Sequence, residues 1–219
     1  MTEKYLIYGS KPSPYSVKVR AYFRYKRIPH NWIIRGYETN QDFKKLAKIA
    51  IVPLVVTPEK KVIQDSTPII QLMESRFQER SIIPKEEHTA FIARLLEEYA
   101  DEWLVKPMFH SRWKYEEDQW DAAMRIAEPF LPSWANKIPI FNRLAHKQVA
   151  SIIRKRQINR LWVTSSNTNT ESQIEESFVD FLEHAEQHLQ SRPYFFGLRP
   201  SIADFGIYGQ LYQAWSDPT

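Results

Sequence analysis

One stretch of the sequence, from Ile51 to Pro68, limits the possible folds most strongly. A strand begins at Val52-Pro53, and a residue before proline is kept out of the helical region of backbone space. Because Pro53 has no amide hydrogen, a central strand cannot continue through it undisturbed. The chain then turns, returns as a second short strand and stops at Asp65-Ser66-Thr67-Pro68, which is typical of a helix start. We therefore expect an extended backbone that can pair with a peptide, beside a helix end that can bind an anion.

The first third of the chain alternates between strand and helix patterns. Ser13 precedes Pro14, and this pair favours a helix that begins at Pro14 and runs to about Lys26. Strands are predicted at Tyr5–Tyr8, His30–Ile34, Leu54–Val56 and Val62–Ile63, and further helices at Asn40–Ala47 and Ser66–Phe77. The resulting order, β-α-β-α-β-β-α, predicts an α/β domain over residues 1–79.

Beyond a polar linker at residues 78–87, no convincing strand pattern is found, and we predict an all-helical domain over residues 88–219. Its helices are predicted at His88–Tyr115, Asp118–Phe130, Phe141–Trp162, Glu171–Leu189 and Ser201–Trp215. Pro107 is expected to bend the first of them, because it removes one helix hydrogen bond. Ser201 and Asp204 form a Ser-x-x-Asp capping box, for which we expect a structural role.

The composition narrows the chemistry that the chain can perform. With no cysteine, it has no disulfide, no thiolate metal site and no cysteine nucleophile. No signal peptide and no apolar run long enough to cross a membrane are found, so we expect a cytoplasmic protein without a membrane partner.

Basic residues are concentrated in two parts of the chain. Residues 1–80 carry 15 Lys and Arg against 7 Asp and Glu, a net charge of +8, which fits either an anionic ligand or a solvated basic face. A second basic set lies within the predicted helix Phe141–Trp162. It consists of Arg143, Lys147, Arg154, Lys155, Arg156 and Arg160, and we expect a solvated face there rather than a nucleic-acid site.

Three segments resemble the cytosolic glutathione S-transferases of the serine type. They are Ser13–Arg20 (Ser-Pro-Tyr-Ser-Val-Lys-Val-Arg), Val52–Val55 with Gln64–Ser66, and Gly197–Asp204. The first two look like the family's thioredoxin-like glutathione site, and the third looks like the helix-capping signature of its helical second domain. The resemblance covers essentially the whole chain. It implies a thioredoxin-like domain followed by an all-helical domain, a homodimer and a role in detoxification.

The resemblance implies that Ser13 carries the catalytic hydroxyl, with Ser16 as a fallback and Tyr8 as a second alternative. Lowering a thiol pKa by about two units requires roughly 2.7 kcal/mol. A hydroxyl hydrogen bond to a charged sulfur contributes about 1.5–3 kcal/mol. The start of the following helix adds roughly 0.3–2 kcal/mol. Together these are sufficient, whereas the simpler role for Ser13 is that of a helix cap.

The resemblance also implies which residues hold glutathione, the expected co-substrate. The backbone at Val52-Pro53 would pair with its cysteinyl unit, as an added strand pairs with a sheet edge. Ser66 would bind the γ-glutamyl carboxylate and Asp65 the ammonium group. Ile51 departs from the family pattern, because many members carry a basic or amide residue there; Lys44 and Lys48 are the possible substitutes.

The second substrate is expected to be a small apolar electrophile bound between the domains. Phe109, His110 and Trp113 are its predicted contacts, although such residues are more often packed in an interface. No metal site is predicted, because the spacing of Asp101-Glu102 and His110 gives no support for one.

Two other functions stay open. One is a non-catalytic adaptor, as in stringent starvation protein A, which shares this fold. The other is a glutathione-dependent isomerase or dehalogenase. The absence of cysteine argues against the thiol-transferase branch. Because the chain ends soon after a helix, we also expect that a pocket-closing C-terminal segment is missing.

Overall fold

The first domain is a four-stranded sheet covered by helices on both faces, in a computed structural model that describes residues 4–218 except the side chains of residues 135 and 136. The strands are β1 (Tyr5–Gly9), β2 (His30–Ile34), β3 (Leu54–Val56) and β4 (Val62–Gln64). The helices are α1 (Pro14–Tyr25), α2 (Asn40–Leu46) and α3 (Ser66–Arg76). This confirms the predicted order β-α-β-α-β-β-α.

The sheet has the strand order β2-β1-β3-β4, in which β1 and β2 are parallel and the other pairs are antiparallel. Alternate residues of a strand point to opposite faces. Ile7 therefore lies in the core beneath α1 and α3, with Phe23 and Ile70. Tyr8 lies on the other face, with Phe43 of α2 and Leu54 of β3.

The second domain is helical throughout the part that the structure describes. Its helices are α4 (Glu87–Tyr99), α5 (Val105–Lys114), α6 (Glu116–Ala127), α7 (Pro139–Ile158), α8 (Glu171–Leu189) and α9 (Ile202–Ser216). Short 3-10 segments lie at Glu128–Phe130, Ser133–Lys137 and Leu161–Thr164. No helix in residues 4–218 is long and apolar enough to cross a membrane.

The helix predicted over His88–Tyr115 is interrupted before its proline. A π turn at Ala100–Leu104 separates α4 from α5, and Pro107 is the third residue of α5. Pro107 has no amide hydrogen to donate to the carbonyl four residues earlier, at Trp103. The regular helical hydrogen bonding is thus broken on the N-terminal side of Pro107, and the π turn found there contains Asp101.

Helix α9 joins the two domains, because it packs on both α1 and α4. Gly209 makes this contact possible: a Cβ atom there would lie 2.8 Å from the Pro14 carbonyl oxygen. The predicted linker is also packed. Ile82 is buried in the first core, and its carbonyl accepts a hydrogen bond of 2.9 Å from the Ile202 amide.

Candidate functional site

Ser13 stands at the N-terminal end of α1, as predicted. It is partly exposed, and its Oγ accepts a hydrogen bond of 3.3 Å from the Ser16 amide. Ser16 is fully buried, and its Oγ accepts from the Ser10 amide at 3.3 Å. Of these two serines, Ser13 therefore offers its hydroxyl to a ligand, while Ser16 holds the loop from inside.

Tyr8 lies in the core of the sheet rather than in an open site. Its side chain is buried, and its ring centroid lies 6.1 Å from that of Phe43. Burial raises the pKa of the phenol, and the charge of Asp42 raises it further. A group in this environment is a poor source of a phenolate.

The Val52–Pro53 turn and the start of α3 lie side by side. The Val52–Pro53 peptide bond is cis, and the Asp65 amide donates to the Pro53 carbonyl at 3.3 Å. Asp65 is the N-cap residue of α3, and its φ of +77° is unusual for a residue with a side chain. Its carboxylate makes no capping hydrogen bond and is left exposed.

Ser66 follows as the first residue of α3, and its side chain is buried. Among the described residues its Oγ has no hydrogen-bond partner. The backbone amides of the first turn of a helix also lack partners within the helix, and they favour an anion. The arrangement therefore offers backbone amides for an anion beside an exposed carboxylate, with the Ser66 hydroxyl buried next to them.

The loop before Val52 is fixed by two side chains that the sequence analysis did not single out. Gln64 accepts from the Lys48 amide at 2.8 Å and donates to the carbonyls of Ile49 and Ile51, at 2.9 and 3.2 Å. Arg35 donates to the Ala50 carbonyl at 2.8 Å. This arginine therefore lies close to Ile51, the position that departs from the family pattern. The side chains of Lys44 and Lys48 are exposed.

A cavity of about 640 Å³ lies between the domains, next to the first turn of α1. Tyr15 lines it from the first domain, and its hydroxyl donates to the Asp101 carbonyl at 2.8 Å. Phe109, Trp103 and Val163 contribute apolar surface from the second domain. A second inter-domain cavity, of about 500 Å³, is lined by Lys11. In the chain, Ser13 stands two residues after Lys11, which lines the smaller cavity, and two residues before Tyr15, which lines the larger one.

Of the three predicted electrophile contacts, Phe109 lines the larger cavity, and the other two do not. His110 is 2% exposed and bonds Ser166 at 2.7 Å and Glu175 at 3.1 Å. Trp113 is 1% exposed and packs in the core of α5, α6 and α7. Both side chains are buried within the second domain, with no surface free for a substrate.

Behind the candidate site lies a buried ion cluster, which the sequence analysis missed. Lys18 Nζ lies 2.5 Å from both Glu97 Oε1 and Asp101 Oδ2, and Thr67 Oγ1 donates to Glu97 at 3.0 Å. Burial raises the pKa of Asp101 to about 6, against the opposing charge of Lys18. The four residues come from α1, α3, α4 and the π turn, so the cluster ties the start of α3 to the second domain. The sequence signal for this cluster is Lys18 itself, which lies on the apolar face of α1, four residues before the buried Tyr22.

The loop that carries Ser13 is also held by the second domain. Gln213 of α9 donates to the Lys11 carbonyl at 2.8 Å. Arg112 of α5 donates to the Pro12 carbonyl and to Gln213, each at 2.9 Å. Asp217 accepts from Arg112 Nε at 2.8 Å. These contacts fix the main chain just before Ser13. In the described residues 4–218, no group of three or more acidic or histidine side chains is arranged to hold a metal ion.

Two family models match the chain. The first, for the N-terminal domain of glutathione S-transferases, matches residues 7–81. The second, for the C-terminal domain of glutathione S-transferases, matches residues 154–218. Together they span well over half of the chain, and they agree with the observed fold. The chain belongs to the cytosolic glutathione S-transferase superfamily.

Many solved structures share this fold. FzlA from C. crescentus is 18% identical, with a TM-score of 0.59 over 98% of this chain and 80% of that one. A glutathione S-transferase from Rhodospirillum rubrum F11 is 16% identical, with a TM-score of 0.58 over 95% and 77%.

A glutathione transferase family member from Pseudomonas fluorescens pf-5, solved with two glutathione molecules bound, is 15% identical, with a TM-score of 0.54 over 98% and 78%. At such identities the likeness concerns the fold. No curated protein sequence matches the chain.

Proposed function

We propose that the protein binds glutathione and transfers its thiolate to a small apolar electrophile. The observation that supports this most directly is the hydrogen bond of 3.3 Å between the Asp65 amide and the Pro53 carbonyl. It keeps the backbone at Val52-Pro53, just before β3, beside the first amides of α3. An extended peptide with a carboxylate at one end is the kind of ligand that such a pair of features fits.

In this proposal the two ends of glutathione meet different groups. The first amides of α3 and Ser66 bind the γ-glutamyl carboxylate, and Asp65 binds the neighbouring ammonium group. Ser66 Oγ would thereby gain the partner that it lacks among the described residues. We assign the glycyl carboxylate to Arg35, whose guanidinium donates to the Ala50 carbonyl in the loop before Val52.

Ser13 is the proposed thiolate-stabilising group. Its hydroxyl would donate to the sulfur at the N-terminal end of α1, so a hydrogen bond and the helix dipole act on the same charge. The thiol proton passes to water. The sulfur then forms a bond to the electrophilic carbon, and the displaced electron pair leaves with the leaving group or stays on the acceptor. The cavity beside Tyr15 and Phe109 has the size of a small-molecule site.

A homodimer, as the family resemblance implies, remains part of the proposal. Phe91 and Leu95 lie one turn apart on α4 and are 65% and 54% exposed. Their exposed apolar surface supports an isologous interface along this helix.

Calorimetry with glutathione tests the proposal, together with the ultraviolet absorbance of the bound thiolate as a function of pH. We expect the wild-type protein to bind glutathione and to lower the thiol pKa by about two units, and Ser13→Ala to lose most of that shift. Ser10→Ala is the matched control, because Ser10 contributes backbone groups to the loop contacts.

The outcomes separate the remaining functions. If Ser13→Ala binds glutathione with the wild-type thiol pKa, Ser13 is a helix cap and not a catalytic group. If substrate is turned over without consumption of glutathione, the reaction is an isomerisation or a hydrolytic dehalogenation rather than a conjugation. If millimolar glutathione does not bind, the enzyme proposal fails and a non-catalytic adaptor takes its place.

A further inference from the structure

The charges of the second domain are strongly segregated along the chain. Residues 129–170 contain no Asp or Glu and seven Lys and Arg, a net charge of +7. The rest of the chain therefore carries −3, since the whole chain carries +4. This segment contains α7 with its two flanking 3-10 segments, and the family models leave its first part unmatched, since they stop at residue 81 and resume at residue 154.

The exposed surface of α7 is apolar as well as basic. Ile140, Leu144, Lys147, Ser151 and Lys155 recur at helical spacing along one line, and all are exposed. Ile140 and Leu144 on that line are 77% and 62% exposed, and Ile152 beside it is 70% exposed. Single exposed aliphatic side chains are common on proteins, but several on one helix form an apolar patch, and such patches mark interaction surfaces. We define the α7 outer surface as six residues, which are Ile140, Leu144, Lys147, Ser151, Ile152 and Lys155. It is unlike an ordinary polar face.

Tryptophans stand at both ends of the α7 outer surface. Trp134 is 51% exposed and stacks on Phe141, with ring centroids 5.4 Å apart and planes at 24°. Trp162, in the 3-10 segment after α7, is 73% exposed. Tryptophan is favoured at the boundary between lipid and water, where one side of the ring is apolar and the other is wet.

We propose that the α7 outer surface docks on an anionic lipid surface, with α7 lying along it. Lys147, Lys155 and their basic neighbours would face the headgroups, while Ile140, Leu144 and Ile152 enter the acyl boundary. Aliphatic side chains interleaved with cations on one helix suit such an interface. This attachment is peripheral and does not depend on a spanning segment. It departs from the expectation of no membrane partner, which rested only on the absence of an apolar run long enough to cross a membrane.

Lipid fits this surface better than the two other anionic partners. A nucleic acid would use the cations and stack on the tryptophans, but it offers little to exposed isoleucine and leucine. An acidic protein helix needs a groove for its apolar anchors, whereas the α7 outer surface is the convex side of one helix packed on α6. The interior of a bilayer accepts such protruding side chains without a shaped pocket.

Vesicle co-sedimentation tests the proposal on the full chain. We expect binding to vesicles of phosphatidylcholine with phosphatidylserine, weak binding to phosphatidylcholine alone, and loss of binding as salt rises. The charge variant is Lys147→Glu with Lys155→Glu, for which we expect at least a tenfold loss. Its matched control is Lys61→Glu with Lys85→Glu, which reverses two exposed lysines of the first domain and the linker.

A second pair of variants tests the apolar part. Leu144→Asp should lose binding, whereas Leu198→Asp, at a leucine that is 85% exposed in a loop, should retain it. Circular dichroism verifies that each variant is folded. The proposal is overturned if wild-type protein ignores anionic vesicles, or if both members of either pair lose binding equally. It is also overturned if the α7 variants lose binding to a DNA or RNA duplex while wild-type protein binds no vesicles, since the surface then serves nucleic acid.

Discussion

Arg112 Nη1 donates to the main-chain carbonyl of Pro12 at 2.9 Å, although the two residues are 100 positions apart in the chain. The arginine is 3% exposed, and its other N–H groups meet Gln213 and Asp217. Burial lowers the pKa of this guanidinium, and the carboxylate of Asp217 opposes that effect. The residue before Ser13 is thus positioned by a side chain of the other domain.

Arg112→Ala is expected to destabilise the protein by about 2–4 kcal/mol, because it removes one of the two arginines that pair with the buried Asp217 carboxylate and leaves the Pro12 carbonyl without its side-chain donor. Gln213→Ala is the milder test, since it frees the Lys11 carbonyl while Arg112 and Asp217 stay paired. If the thiol site depends on this loop, Gln213→Ala will raise the pKa of bound glutathione in a protein that is still folded. An unchanged thiol pKa would limit these contacts to stability.

Asp101 should make the stability of the protein fall as the pH rises from about 4 to 6. Its pKa is raised to about 6, chiefly by burial, so the folded state keeps a proton that the unfolded chain releases near pH 3.9. The favourable contribution is complete below the unfolded pKa and lost above the folded one.

We therefore expect Asp101→Asn, measured relative to wild type by urea unfolding, to become more stable by about 2–3 kcal/mol between pH 4 and pH 7. Glu102→Gln, at the exposed neighbouring residue, should show little such change. A difference of the opposite sign would mean that the ion pair with Lys18 outweighs burial.

Gly209→Ala should weaken the contact between α9 and α1. The added methyl group would lie 2.8 Å from the Pro14 carbonyl oxygen and 3.2 Å from Lys18 Cβ, so the backbone at the start of α1 must move. We expect a loss of about 1–3 kcal/mol in the free energy of unfolding.

Gly206→Ala on the same helix is the matched control. Its nearest contact would be the Ala100 side chain, at 3.3 Å. The higher helix propensity of alanine, worth about 1 kcal/mol, should offset most of the crowding. Equal losses in the two variants would argue against a close approach at Gly209.

Asp204→Ala should cost about 2–4 kcal/mol in thermal or urea unfolding. Asp204 Oδ2 accepts from the amide and the hydroxyl of Ser201, each at 2.7 Å, and Oδ1 accepts from the Phe195 amide at 3.0 Å. These bonds confirm the predicted capping box and extend it to the preceding loop. Asp180→Ala, on the exposed surface of α8, should lower the free energy of unfolding much less. A similar loss in both variants would show that the Asp204 cap contributes no more than an ordinary surface residue.

The sequence was sufficient for the fold because its signals were local. Ser13-Pro14 and Asp65-Ser66 mark helix starts within a few residues, and α1 and α3 begin where these signals predict. The sequence predicted a bend at Pro107, whereas the structure has a π turn that ends three residues before it. Which carbonyls lose their partners around a proline depends on the packing of the helix, as the π turn at Ala100–Leu104 illustrates.

The candidate site was less predictable, because much of it depends on distant partners. Helical spacing groups Phe109 and Trp113 on one side of α5, but it does not tell which ring borders a cavity and which is covered by α6. Arg112 gave no signal either, since its partners Pro12 and Asp217 lie about a hundred residues away in opposite directions.

The ion cluster of Lys18, Thr67, Glu97 and Asp101 also affects how this molecule can be divided. The ammonium group belongs to the thioredoxin-like half, and both of its carboxylate partners belong to the helical half. A gene fragment encoding the first half alone would produce a chain whose lysine has lost both counter-ions. A chimera that combines this first half with the second half of a relative would keep the ion cluster only if that second half carries both carboxylates at the matching positions. The charge balance of each half therefore depends on the other.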